Sequence, residues 1–168
     1  MNKNNEQVFR KIRNPFTIHK GFNCFGCSPD NPIGLQLNFI DHGDFITANW
    51  QPQTNYQGYH NLLHGGIQAT LLDEIASWFV NVKLKTAGVT SKIEIKYKKP
   101  VYVDSGPIML KATLIRLMRN IADIKVELFN DEKQLCAVGV AQYFTFSEKI
   151  AKEKYYYPEP NKFYFEKD

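Results

Sequence analysis

Apolar residues recur along the chain with two different periods, and the change between them divides it. Over residues 65–84 they fall at helical spacing, whereas over 89–98, 107–119, 121–130 and 134–146 they form β-type runs. Pro100, Gly106, Asn120 and the polar segment Asn130-Asp131-Glu132-Lys133 separate those runs. Two further strand-like stretches, 33–40 and 44–50, come before the helix, joined by a hairpin turn at Asp41-His42-Gly43. A loop rich in Gln, Asn, Tyr and Gly fills 51–63. The predicted order is two strands, one long helix and four strands, without internal repeat or βαβ alternation. One helix set against about six mostly antiparallel strands is an α+β plan.

The helix carries the most information. At ~100° per residue, Ile67, Ala69, Leu71, Leu72, Ile75, Ala76, Trp78, Phe79, Val80 and Val82 fill an arc of roughly 220°, wider than the ~100–140° stripe of a surface helix. A curved sheet wrapped around the helix would cover such an arc. Asp73 stands at the border of the narrow polar strip, beside Ala69, Ala76 and Ser77, where small side chains would let another backbone approach. Its neighbour Glu74 is expected to be a solvated carboxylate on that strip.

The flanks are less regular. Residues 1–32 read as an irregular lead-in in which Val8, Phe9 and Ile12 could line a short helix before Pro15, Gly21, Gly26, Pro29, Asn31 and Pro32 interrupt the chain. The tail, 147–168, holds Tyr155-Tyr156-Tyr157 and Phe163-Tyr164-Phe165 and is expected to lie as an extended strap over the body or a neighbouring chain. The whole of 1–168 fits one domain, with its core at 33–146.

Composition narrows the function classes. With 43% hydrophobic and 23% charged residues, the chain is an ordinary globular one. A net charge of +4 suits a small anionic ligand and gives little reason to expect nucleic acid. No stretch approaches the ~18 apolar residues of a membrane span, and no apolar segment of secretory type opens the chain. Three cysteines, Cys24, Cys27 and Cys136, cannot all pair, so a reducing cytoplasm is the expected compartment.

The candidate chemistry gathers at the start of the helix. Gly65 and Gly66 would leave the free N–H groups of the first turn open to a ligand, at the positive end of the helix dipole. A backbone amide placed there can hold the oxyanion of a thioester under attack. Asp73, eight residues beyond Gly65, lies ~12 Å further along the axis. A reacting carbonyl must sit ~3 Å from both the oxyanion donor and the attacking group. If both act, Asp73 of one chain must face Gly65 of another across a two-fold axis.

The run His64-Gly65-Gly66-Ile67-Gln68-Ala69-Thr70-Leu71-Leu72-Asp73-Glu74, with Gly88-Val89-Thr90, Tyr97 and Pro100 after it, resembles the signature of the hotdog-fold thioesterase superfamily, in its PaaI-like branch. The resemblance covers about 33–146 and implies hydrolysis of acyl-CoA thioesters by homodimers, often paired into tetramers, without a cofactor. Carried over by position, Asp73 would be general base or nucleophile and the Gly65 N–H the oxyanion hole. His64 would position the carbonyl or the water, and Thr90 would help to hold the water. Some relatives place an asparagine where this chain has Gly58; Asn61 or His60 could substitute for it.

Other features are weighed against this. Gly66, Asn61, Lys92 and Lys98 are candidate substrate contacts, and Lys96, Lys99, Arg116 and Arg119 could also reach CoA phosphates, although Lys92, Lys96 and Lys98 equally suit a solvated strand face. Tyr56, Tyr59 and Trp78 could shape an acyl pocket or simply pack. Cys24-x-x-Cys27 is expected to be a structural turn: zinc needs about four ligands, and no second Cys or His pair has the spacing for it within one chain. The alternative function is a non-catalytic hotdog module that binds acyl-CoA or another acyl ligand. A hotdog dehydratase or hydratase would expect a different arrangement of histidine and acid.

Overall fold

The computed structural model describes residues 9–165. A hairpin of β2 (Phe39–Asp41) and β3 (Phe45–Trp50) leads through a long loop into helix α1 (Gly65–Lys83). Four long strands follow: β4 (Gly88–Tyr97), β5 (Ile108–Met118), β6 (Ile121–Phe129) and β7 (Leu135–Thr145). A two-residue strand β1 (Arg10–Lys11) pairs with β2 and completes a seven-stranded sheet in the order β1-β2-β3-β5-β6-β7-β4. Every pairing is antiparallel.

The wide apolar arc of α1 is covered as its width predicts. The helix packs against β3, β4, β5, β6 and β7, and Leu71, Leu72, Ile75, Ala76, Trp78, Phe79, Val80 and Val82 are all buried. The sheet answers with alternate residues, as a pleated strand must: Ile46 and Ala48 on β3, Ile108, Leu110 and Ala112 on β5, and Ala122, Ile124, Val126 and Leu128 on β6 are buried. Each large aliphatic side chain so enclosed contributes ~1.5–3 kcal/mol. This is the helix-in-sheet architecture of the hotdog fold.

The crossover order puts β4 at one edge of the sheet. The chain leaves α1, runs along that edge for ten residues, and returns to the middle as β5. Lysines 92 and 96 stay exposed on β4, while Ile93 and Ile95 turn toward the core.

Three local expectations are corrected. Residues 33–38 are not strand: Leu35 N–H donates to Phe25 O and Leu37 N–H to Gly26 O, so this stretch pairs with the lead-in. Gln36 between them takes a left-handed φ of 51°, which breaks any strand there. Phe9 and Ile12 flank strand β1 instead of lining a helix, because the backbone there pairs with β2; Val8 lies outside the described residues. The tail begins as a second helix, α2 (Glu148–Tyr155), capped by the Ser147 side chain with Glu148 in its first turn. Only after α2 does it run as a strap, pinned by buried Tyr157 and Phe163.

Candidate active site

His64 ends the preceding loop and caps α1. Its Nδ1 accepts a hydrogen bond from the Gly66 N–H at 2.9 Å. In the neutral ring this leaves the proton on Nε2, so an exposed residue keeps a second donor. The Gly65 N–H has no acceptor among the described residues, as the orphan donors of a first turn predict. The Gly65 carbonyl is held from β4, where the Tyr97 hydroxyl donates to it at 2.8 Å. Of the two glycine amides, Gly65 therefore offers the free donor, while the Gly66 N–H is taken up by the cap.

Three shallow concavities surround this helix start. One is bordered by Tyr59, Leu62 and His64, one by Tyr56, Gly66 and Thr70, and one by Gln68, Tyr97 and Lys98. Asp73 borders none of them.

Asp73 lies two turns along the same helix in a different setting. Its Oδ1 is met by the Thr90 hydroxyl at 2.8 Å and the Tyr143 hydroxyl at 2.8 Å, while Oδ2 has no partner among the described residues. The Tyr143 hydroxyl also lies 2.9 Å from the Asp73 carbonyl. The sheet register explains the convergence: Thr90 on β4 stands directly opposite Tyr143 on β7. A β-bulge at Ser91, just after Thr90, turns the strand there, a common device beside functional sites. Burial, followed by the facing Asp73 charge, pushes the Tyr143 phenol well above its ordinary range, so it acts as a donor only. Tyr143 was not among the residues singled out in the sequence. Its position in the alternating buried series Ala141, Tyr143, Thr145 was a signal only of packing.

The remaining candidates divide. Asn61, at a left-handed φ of 61°, uses its side-chain oxygen to accept from the Asp104 N–H at 3.2 Å. Lys92 pairs with Glu94 at 2.9 Å on the exposed face of β4. Lys98 is exposed beside the Tyr97 concavity, whereas Lys99 reaches Gln134 and Arg116 pairs with Asp123. A Cβ at Gly58 would press on the His64 ring at 3.3 Å, so a larger residue there would move His64. Tyr56 borders the concavity with Gly66 and Thr70 and donates to the carbonyls of Ile33 and Gly34, whereas Trp78 is buried against Phe39 and Phe163 and packs.

Glu74 departs from its expected solvation. It turns back from Asp73 toward the lead-in, where its Oε1 accepts from Trp78 Nε1 at 3.0 Å and lies 3.6 Å from Cys24 Sγ. Burial, with the neighbouring Cys24, pushes its pKa up to about 7.

The fold is that of the hotdog proteins, and the helix signature is similar to theirs. The model of the thioesterase superfamily matches residues 60–137, which contain the helix, β4, His64, Gly65, Asp73 and Thr90 but not Tyr143. A Haemophilus influenzae protein described as "Putative esterase" is 25% identical over 107 residues, covering 64% of this chain and 77% of that protein. A solved thioesterase of Haemophilus influenzae superposes with a TM-score of 0.65 at 26% identity, covering 72% of this chain and 85% of its own. A Streptococcus mutans protein solved with acetyl-CoA has the same fold at 17% identity, with a TM-score of 0.63 and coverage of 77% and 96%. Against a solved thioesterase superfamily protein of TM-score 0.66 and 20% identity, 72% of this chain is covered, and it spans 59% of that protein's length. The likeness to hotdog thioesterases read from the sequence holds in the fold and in the family model alike. Among the described residues no helix is long and apolar enough to cross a membrane.

Proposed function

We propose that the protein hydrolyses acyl-CoA thioesters in the manner of the PaaI-like branch, at a site that two copies of the chain complete together. One observation carries the reading. Asp73 is held by Thr90 and Tyr143 through a single oxygen, which leaves the other free to act, yet the free Gly65 amide lies ~12 Å away on the same helix. The edge strand β4 supports the pairing. Ten residues long and, among the described residues, unpaired on its outer side, it can continue the sheet into a second copy and bring two α1 helices side by side, antiparallel. Asp73 of one copy then faces Gly65 of the other.

In this arrangement the thioester carbonyl oxygen accepts from the Gly65 N–H, backed by the positive end of the helix dipole. The Nε2–H of His64 lies beside that donor and orients the carbonyl or the water. Asp73 Oδ2 takes a proton from an attacking water, or adds to the carbonyl to form an anhydride that water then hydrolyses. The carbon–sulfur bond breaks, and the CoA thiolate takes its proton from the Asp73 acid in the first route and from water in the second. The relative bound to acetyl-CoA and the net positive charge agree with a CoA ester as substrate, and exposed Lys98 stands near enough to the groove to meet its phosphates.

The test is a panel of acyl-CoAs scored by free-thiol release, run on the wild type and on Asp73→Asn. The proposal expects turnover in the wild type and its loss in the variant. Tight acyl-CoA binding without turnover in the wild type would favour the non-catalytic binding module.

A further inference from the structure

The hydrolytic reading leaves Cys24, Cys27 and Glu74 unused. These residues come from distant parts of the chain, and the fold brings their ligand atoms together: Cys24 Sγ, Cys27 Sγ and a Glu74 oxygen all lie within 4.8 Å of one another. Cys24 Sγ stands 3.6 Å from Glu74 Oε1. Around a tetrahedral zinc, with Zn–S of ~2.3 Å and Zn–O of ~2.1 Å, a sulfur and an oxygen ligand are about 3.6 Å apart.

The surroundings are shaped for such a group. The loop carrying the cysteines is braced by backbone bonds from Leu35 N–H to Phe25 O and from Leu37 N–H to Gly26 O. Gly26 lies between the two cysteines, and a Cβ there would overlap the Glu74 carboxyl and force it to move away. Trp78 Nε1 fixes the same carboxyl from the next turn of α1, as groups behind a metal ligand commonly do. Among the described residues no cation pairs with Glu74, although six other carboxylates are engaged by lysine or arginine within the sheet and the tail. The charged form of a carboxyl desolvated against two thiols, with no cation beside it, is costly, and a bound metal would offset that cost.

We propose that Cys24, Cys27 and Glu74 bind a zinc-class divalent cation, completed by a water molecule, which clips the lead-in to α1 beside the catalytic aspartate. Two sulfurs and one carboxylate oxygen select a borderline-soft ion over magnesium or calcium. Glu74 directly follows Asp73, so the clip steadies the helix turn that carries the attacking group without touching substrate.

The full-length protein, purified under reducing conditions and stripped with a chelator, is titrated with cobalt(II) and then zinc(II). The expected result is one cobalt per chain, with thiolate-to-cobalt charge-transfer absorption in the near ultraviolet that one equivalent of zinc removes. Cys24→Ser and Cys27→Ser should each abolish the band, Cys136→Ser should leave it intact, and Glu74→Gln should weaken cobalt binding at least about tenfold. Gly26→Ala keeps every ligand but displaces the carboxyl, and should weaken binding as Glu74→Gln does. Zinc should raise the melting temperature of the wild type and not that of Cys27→Ser. A reduced wild type with no charge-transfer band would overturn the proposal, and so would a band lost equally in Cys136→Ser. Either failure would leave the hydrolytic reading standing, since that reading is measured by thiol release.

Discussion

The two halves of the candidate site share one helix and are built in opposite ways. At its start, His64 and Gly65 present backbone and ring donors to open concavities, with little side chain in the way. Two turns later, Asp73 is gripped by two hydroxyls from neighbouring strands, one of them on a deeply buried tyrosine. In the proposed mechanism the first half is a donor without an attacking group, and the second an attacking group without an oxyanion donor. A straight helix holds them ~12 Å apart, so under the proposed mechanism the substrate meets the other half from a second chain.

Substitutions can separate the halves. Asp73→Asn keeps the size of the side chain and an oxygen for Thr90 and Tyr143, so it should fold normally while turnover on acyl-CoA falls by about 10²–10⁴. Normal hydrolysis by a folded Asp73→Asn protein would remove Asp73 from the mechanism. Gly65→Pro removes the amide proton of the other half and adds a pyrrolidine ring. Proline is favoured at the first helical position, and His64 already has the extended φ −59°, ψ 134° that a residue before proline prefers. A Cβ at Gly65 meets the Tyr97 ring at an ordinary 3.7 Å. Turnover should fall by about 10²–10³ with the melting temperature little changed.

Tyr143→Phe tests how firmly Asp73 must be held. Thr90 still donates to the carboxylate, so kcat should fall by about tenfold, with KM little changed, when measured by thiol release. An undiminished kcat would make Tyr143 a packing residue only.

The smallest catalytic effect is expected at Asp41, outside both halves. Burial alone would raise its pKa, but hydrogen bonds from Tyr164 and Lys83 outweigh that and hold it below the usual aspartate range. A depressed folded-state pKa gives stability that is present above the unfolded value of ~3.9 and lost as pH falls through the folded one. Asp41→Asn should therefore cost about 2 kcal/mol at neutral pH, with the gap to wild type closing in acid and turnover unaffected. Parallel urea titrations at pH 7 and pH 3 would reveal a gap that fails to close.

What could be read from the sequence follows how local each signal is. Helix α1 and strands β4 to β7 were legible because long periodic patterns answer to one packing surface, and His64, Gly65 and Asp73 were legible because their spacing lies within one element. Residues 33–38 were misread as strand because their apolar alternation serves pairing with the lead-in. The grip of Tyr143 on Asp73 and the turn of Glu74 toward Cys24 were hidden, since both join residues brought together only by the sheet order and the folded lead-in. Helix α2 did carry a local signal, Ser147 followed by Glu148, but the prolines and aromatics after it drew the tail toward an extended reading.

The central claim is that the two halves belong to different chains, and subunit mixing tests it most directly. Asp73→Asn and Gly65→Pro, each inactive alone, are co-expressed or unfolded and refolded together. In a mixed dimer one site pairs the intact Asp73 of the Gly65→Pro chain with the intact Gly65 of the Asp73→Asn chain, while the other site carries both defects. With random pairing, thiol release should recover to about a quarter of the wild-type rate. Mixed dimers that form and remain inactive would contradict a site shared between chains.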